Sequence, residues 1–395
     1  MTGVDIAVIG AGIQGAGVAQ AAAAAGYSVV LIEKGEIGSG TSSKSSKLIH
    51  GGLRYLRQGQ LGLVRESLRE REILLRIAPH LVHSATFLIP VYGDSEIRPW
   101  QLRLGLGLYA ALGGANPLTA MAPLPQDSPL MPPAMRHRGL KAVFGYRDAQ
   151  TDDRRLTEAV ALSAQALGAR LFTHTQLVLA RRGPEGHELS LRHPQGFKSL
   201  TCRMLVNAAG PWINGVAASL VPEAPTLEVA LVKGSHLVLD GTLGESCFYL
   251  ESPLDRRAVF ALPWRGKTLL GTTEESFTGD LDHPGVSTAE ETYLLATLAH
   301  YFPDFTPPVV ERMAGLRVLP EGNDSLFRRS REVRLVEACE AGSGYIAIYG
   351  GKLTGYRATA AKVVGRIEKT LGRRKPRANT AHLPLPEVDR GPTGP

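Results

Sequence analysis

At 395 residues, with 44% hydrophobic and 21% charged side chains, the chain has the make-up of an ordinary globular protein long enough for two domains. Its net charge of +7 comes without a dense Lys/Arg block interleaved with aromatics, which leaves no argument for nucleic acid, and no run nears the ~20 apolar residues of a membrane-spanning helix. Three scattered cysteines, Cys202, Cys247 and Cys339, exclude a disulfide framework or a CxxC metal site and suit a reducing cytosol.

The N-terminus enters an apolar run, Ile6 to Ile9, with no charged-then-apolar leader, so the expected location is the cytoplasm. Gly10, Gly12 and Gly15 come next, then an Ala-rich helical run closed by Gly26, then a second apolar run, Val29 to Ile32, ending in Glu33. Strand, turn, helix and strand in that order make a dinucleotide-binding unit. Gly10 permits the tight turn, Gly12 lets a pyrophosphate approach the backbone, and Gly15 lets the helix lie on the strand, while N–H groups at the helix start hold the phosphates. A bare glycine hexapeptide could be only a turn. Glu33, placed to meet ribose hydroxyls and to repel a 2′-phosphate, disfavours NADP and leaves FAD or NAD.

The Ser-rich stretch Ser39–Ser46 could be a linker, but Leu48, Ile49, Leu53, Tyr55 and Leu56 would anchor the segment beyond it. His50, Arg54 and the pair Gly51-Gly52 put a titratable ring, a fixed cation and an approachable backbone side by side, the composition of a site. Gln60 to Ala78 is an amphipathic helix and Thr86 to Tyr92 a strand. Arg98 to Gly114 is helix-like, with Trp100, Leu104, Leu108 and Ala111 on one side; Gly105 and Gly107 weaken it, and packing inside a lobe is expected rather than a place on a membrane surface. Pro117 to Pro133 loops back. A helix over Arg154–Leu167 is expected, capped by Asp153 and ended by Gly168. Strand-like runs at 170–172, 177–181 and 188–192 precede Met204–Ala208, which runs into NAAGPW with Gly210. Turn-punctuated runs from Leu227 to Thr273 predict an antiparallel sheet, followed by a helix from Ala289 to Phe302. A strand carrying Arg317, a segment carrying Arg331 and a strand Tyr345–Tyr349 lead into GGKLTGYR and a helix from about Thr354, a second helix N-terminus for a cofactor. Arg373, Arg374, Lys375 and Arg377 open a Pro-rich tail expected to be disordered or loosely attached.

Together these pieces, GAGIQGAGVA with Glu33, SSKLIHGGLRYL, DAQTDDRRL, NAAGPW, KGSHLVL, LLGTTEE, AGLRVLP, SRE and GGKLTGYR, resemble the FAD-dependent glycerol-3-phosphate dehydrogenases, among flavin oxidoreductases shaped like D-amino acid oxidase. The resemblance implies an α/β fold: a discontinuous Rossmann-like FAD-binding domain (1–80, 143–222, 312–372), an antiparallel-sheet substrate lobe (81–142, 223–311) and a tail, 373–395. It implies that Gly10, Gly12, Gly15 and Glu33 bind the ADP half of FAD, that Thr41, Ser42, Ser46, Lys47 and Leu48 line the pyrophosphate and flavin, and that Gly351, Leu353 and Thr354 lie at the far edge of the ring. Arg54, Arg317, Arg331 and Lys352 would hold an anionic substrate, with His50, Tyr55 and His236 near the reacting carbon. Guanidinium forks suit phosphate oxygens, and a lysine adds a point charge.

The expected activity is oxidation of sn-glycerol 3-phosphate to dihydroxyacetone phosphate, with His50 as first choice of base, His236 as second, and Arg317 steadying the alkoxide. Electrons would pass to a quinone or another acceptor, and the protein could touch the inner face of the membrane peripherally. Family members of this kind continue into a helical C-terminal domain that is expected to be missing here. A flavin enzyme of 2-hydroxy acids or amino acids is the alternative; a flavin-binding module without catalysis, or an RNA-modifying flavoprotein, is a more distant one.

Overall fold

Apolar residues with little polar interruption make Val4–Ile9 and Val29–Ile32 strands buried along almost their whole length, and they pair in parallel, Ile6 opposite Val29 and Ile9 opposite Ile32. In this computed structural model, which describes residues 3–114, 122–125, 128–320, 332–340 and 342–388 and only the backbone of Arg54, Arg57 and Ala122, the two strands belong to a nine-stranded sheet. Arg170–Phe172 extends it on one side, and on the other the end of Gly196–Asn207 and then Ser343–Tyr349 continue the parallel array. The first half of Gly196–Asn207 instead turns back antiparallel against Gly186–His193, which pairs with Gln176–Gly183, and Arg334–Glu340 covers the far edge.

Helices among the described residues are α1 Ile13–Ala24, α2 Leu53–Arg57, α3 Leu61–Ile77, α4 Pro99–Leu112, α5 Asp153–Ala166, α6 Ile213–Ala218, α7 Thr288–Tyr301 and α8 Tyr356–Leu371. Small residues let α1 pack against both α5 and α8: the Tyr356 ring fills the space beside Gly17, where an added Cβ would sit 2.6 Å from it.

A second, ten-stranded sheet runs Glu275–Ser276, Val229–Leu239, Lys267–Gly271, Ala258–Trp264, Cys247–Glu251, Val82–Tyr92, Leu140–Thr151 and Leu48–Ile49, with Val309–Pro320 on Val229–Leu239 and Ala122–Leu124 on Leu140–Thr151. Its pairings are antiparallel except that of Cys247–Glu251 with Val82–Tyr92. Leu140–Thr151 and Val309–Pro320 reach into the spans 143–222 and 312–372 expected to form the cofactor domain, yet both hydrogen-bond in this second sheet. The strand edge carrying Leu48–Ile49 is likewise part of it.

Three expectations need correction. The cap of α5 is Asp152, whose carboxylate accepts the Arg155 N–H at 3.1 Å; Asp153 is buried inside the helix and pairs with Lys47. In α4 the side carrying Trp100, Leu104 and Leu108 faces solvent, at 61%, 66% and 44% exposure, while Leu102, Leu106 and Tyr109 are buried. The phase of the helix is set by those three, which meet α2 and α3. The tail is attached as far as Val388: Arg377 N–H donates to Ala24 O, Leu385 N–H to Ile77 O, and Leu385 is 3% exposed. Its proline-rich composition suppresses helix and strand but not packing. Residues 389–395 lie outside the described residues, as does part of the Pro117–Pro133 loop.

Candidate active site

The parallel strands all end at one edge, and there a cleft of about 940 Å³ opens between the two sheets. Gly10 follows the first strand at φ +96°, an angle that excludes other residues, and an added Cβ would lie 2.7 Å from Ala208 O. At Gly15 the Cβ would be 1.8 Å from Gly10 O, so only glycine lets α1 meet the strand it follows. Gly12 lines the cleft at the N-terminus of α1, where a Cβ would come within 3.1 Å of Ser42 Oγ. Ser42 Oγ accepts the Ile13 N–H at 2.9 Å, and Glu33 accepts from Ala11 at 2.7 Å and Gly35 at 2.9 Å, which fixes its carboxylate beneath the glycine turn.

The Ser-rich stretch is held down rather than flexible. Thr41 Oγ1 donates to Leu316 O at 2.7 Å, and Lys44 lies against Gly315, where a Cβ would meet its own at 2.8 Å. Lys47 departs from its expected role of lining the cofactor. Only 4% exposed, its Nζ turns to Asp153 at 2.6 Å and to Ser43 O at 2.7 Å, an internal ion pair that pins the stretch to α5. Leu48 and Gly210 do line the cleft.

Farther along stand His50, Tyr55, Arg317 and Lys352, brought together from three separate segments. His50 follows the edge strand Leu48–Ile49; its N–H donates to Thr354 Oγ1 at 3.1 Å and its ring meets Phe260 edge-on at 6.2 Å. Arg317 lies across Val232 in the second sheet and folds its guanidinium over Gly234, whose Cβ would sit 2.7 Å from Nη2. Nη1 pairs with Glu274 at 3.0 Å and Nη2 donates to Thr272 Oγ1 at 3.3 Å. Lys352 Nζ sits 3.5 Å above the Tyr55 ring, and its carbonyl accepts from Gln14 at 3.1 Å. Gly351 at φ +103° lets the chain turn there, with Leu353 and Thr354 in the cleft wall just before α8.

His236 is not in the wall. It is 1% exposed, its Nε2 lies 2.9 Å from Ser46 Oγ, and its Nδ1 has no partner among the described residues. Burial, with the nearby Arg317 and Lys47 charges, pushes its pKa down to about 3, so it is a neutral ring supporting Ser46. The Arg54 side chain and Arg331 lie outside the described residues.

Sequence reasoning missed four residues of the cleft or its support. Gln14 sits at a variable position inside the glycine motif, Trp212 ends NAAGPW, Lys34 lies 3.7 Å over the Trp212 ring, and Glu274 holds Arg317. The first, third and fourth carry no local signal, since ordinary surface residues have the same composition.

The cleft fits a bound dinucleotide on its own evidence: a glycine cradle that side chains would fill, and two buried polar atoms in its wall, Gln14 Oε1 and Trp212 Nε1, left without partners among the described residues.

Residues 5–357 match the family described as FAD dependent oxidoreductase. Over 394 residues the chain is 38% identical to a glycerol-3-phosphate dehydrogenase of Pseudomonas aeruginosa, an overlap of 97% of this chain and 75% of that one. It is 35% identical over 377 residues to a D-erythritol 1-phosphate dehydrogenase of Brucella abortus, 92% of this chain and 73% of that one. The glycerol-3-phosphate dehydrogenase from Bacillus halodurans, solved in complex with FAD, has a TM-score of 0.74 at 28% identity, over 97% of this chain and 68% of that chain. No helix among the described residues is long and apolar enough to cross a membrane. The dinucleotide left open between FAD and NAD is FAD, and the chain belongs to the FAD-dependent oxidoreductases, in the branch that holds the glycerol-3-phosphate dehydrogenases.

Proposed function

We propose that the protein oxidises sn-glycerol 3-phosphate to dihydroxyacetone phosphate. The observation that carries this reading is that Arg317, Lys352, Tyr55 and His50 face one end of the cleft whose other end is the glycine cradle, which sets an anion site and a proton acceptor beside a redox cofactor. Gly10, Gly12, Gly15, Glu33, Ser42, Leu353 and Thr354 would hold FAD, which when bound would supply the two-electron acceptor for the hydride leaving the secondary carbon. His50 takes the hydroxyl proton of the same carbon, so the alcohol loses one hydride and one proton and becomes a ketone. Arg317 and Lys352 bind the phosphate end, joined by Arg54 and Arg331, and Arg317 steadies the developing alkoxide. His236 acts through Ser46.

The electrons pass on to a quinone or another acceptor, with the protein touching the bilayer from the side. The exposed Trp100, Leu104 and Leu108 on α4 support that contact, since a helix of this kind lies in the interface with its apolar side down. The likeness to the Brucella abortus enzyme favours one second reading, a longer polyol phosphate.

Anaerobic mixing of the yellow holoprotein with glycerol 3-phosphate, D-erythritol 1-phosphate, a 2-hydroxy acid and an amino acid tests the assignment. Glycerol 3-phosphate is expected to bleach the flavin fastest. Bleaching by the four-carbon phosphate alone would move the substrate, and bleaching by the carboxylates alone would end the phosphate reading.

A further inference from the structure

Behind His50, on the side away from the cleft, runs a buried polar chain that the proposed reaction does not use. Tyr109 on α4 accepts the Gly51 N–H at 2.9 Å and donates its own hydroxyl to Asp148 Oδ2 at 2.7 Å. Asp148 Oδ1 accepts from Arg71 Nη1 at 2.8 Å, and these three side chains are 0%, 3% and 1% exposed. Burial, reinforced by the Asp148 charge, holds the Tyr109 pKa well above its ordinary value, so the hydroxyl keeps the proton it gives to Asp148 and a lone pair stays aimed at Gly51.

The surroundings are apolar, built from residues such as Leu68, Leu106 and Tyr146, and a buried ion pair there costs more desolvation than apolar filling of the same volume. Arg71 is itself held by Glu72 at 2.7 Å and by the Arg147 carbonyl at 3.4 Å, and through Asp148 and Tyr109 the cluster reaches the Gly51 N–H, next in the chain to His50, while the His50 N–H is taken by Thr354. The two glycines are cut to this arrangement. A Cβ on Gly51 would sit 2.5 Å from the Tyr109 hydroxyl, and one on Gly52, at φ +79°, 2.3 Å from the Tyr55 ring. The close approach these glycines permit is to tyrosines of the protein.

We propose that Tyr109, oriented by Asp148 and Arg71, is a positioning residue that clamps the His50–Gly51–Gly52 turn and so fixes where His50 meets substrate. The catalytic consequence rests on the reading of His50 as the base, and the clamp itself does not.

The test compares the FAD-loaded parent with Tyr109→Phe, Asp148→Asn and Leu106→Ala, the last removing a buried apolar contact from the same helix. Two quantities are measured, hydrogen exchange in the peptide spanning residues 48–57 and the rate of flavin reduction by saturating glycerol 3-phosphate. Tyr109→Phe is expected to speed exchange in that peptide and slow reduction, each by roughly tenfold, the worth of about one well-made hydrogen bond. Asp148→Asn is expected to move both in the same direction by less, because its amide oxygen still accepts. Leu106→Ala is expected to lower the melting temperature at least as far and leave both near the parent. Parent-like exchange in both Tyr109→Phe and Asp148→Asn overturns the clamp, as does equal acceleration in Leu106→Ala. A Tyr109→Phe chain that does not fold leaves the Asp148→Asn exchange to decide. If the parent is not reduced by glycerol 3-phosphate, the substrate reading fails and the exchange data still decide the clamp.

Discussion

The two ends of the cleft are built on different principles. At the dinucleotide end, Gly10, Gly12 and Gly15 lie within one turn at the start of α1, and a phosphate bound there would meet backbone rather than side chains. At the end proposed for substrate, His50 and Tyr55 share one stretch while Arg317 and Lys352 come from segments far apart in the chain, and other groups orient them: Thr354 for His50, Glu274 and Thr272 for Arg317, the Tyr55 ring for Lys352. The first end tolerates no added atoms and the second no loose ones. A local motif recognises through the absence of side chains, while a distributed site recognises through their presence and needs a supporting layer.

The difference predicts where substitutions act. Gly12→Val should remove flavin altogether, because even a Cβ meets Ser42 Oγ at 3.1 Å and the branched methyls fill the space a pyrophosphate needs. Release of FAD on acid denaturation measures this, and a fully flavinated Gly12→Val protein would reduce the glycine turn to a mere bend. His50→Asn should do the reverse, keeping flavin while slowing its reduction by glycerol 3-phosphate roughly a hundred- to ten-thousandfold, the range of a lost general base. Anaerobic stopped-flow of the two proteins separates the ends of the cleft in a single experiment.

The same contrast explains what could be read from the chain alone. The strand–turn–helix unit and Glu33 were legible because most of their physics is local: Gly15 answers to Gly10 and Gly10 to the end of the neighbouring strand, while only Gly12 meets a distant residue, Ser42. His50 stood out by its neighbours Arg54 and Gly51-Gly52, but its partners Tyr55, Arg317 and Lys352 were named through resemblance, and no spacing rule joins Leu48–Ile49, Val309–Pro320 and the turn after Tyr349. Lys47 shows the limit of that route. Its place in a matching motif suggested the cofactor, but Asp153, a residue that looked like a helix cap, captures its ammonium in a buried pair. The exposed side of α4 was misjudged for a related reason. Apolar residues recur on both sides of that helix, and only contact with α2 and α3 decides which side is buried.

Arg317 is the place to test whether the supporting layer matters. Arg317→Ala should leave FAD content nearly unchanged and lower kcat/KM for glycerol 3-phosphate about ten- to a hundredfold, the worth of about 1.5 to 3 kcal/mol for a hydrogen bond to a charged group. Arg317→Lys should recover only part, since an ammonium cannot hold Glu274, Thr272 and the substrate from one plane. Parental turnover in Arg317→Ala would place the anion site elsewhere, and loss of flavin would make Arg317 part of the cofactor end.

The smallest expected effect is one of pH, and it comes from behind the cleft wall, where His236 supports Ser46. His236 has its pKa lowered from 6.5 to about 3 by burial and by the nearby Arg317 and Lys47 charges. In the unfolded chain the same ring protonates near its ordinary value, so below pH 6.5 the unfolded state binds a proton that the folded state refuses until about pH 3. Stability must therefore fall as the pH is lowered through that window, by about 1.4 kcal/mol per pH unit from this group, and be unaffected by it above. His236→Gln removes the titration while leaving a side chain that can meet Ser46. Urea unfolding of the holoprotein between about pH 4.5 and 8 should then show a shallower acid slope in the variant, by one proton's worth, with the two curves parallel above about pH 7. Identical slopes in parent and variant would mean that His236 takes its proton inside the fold, and the neutral ring assigned to it behind Ser46 would have to be given up.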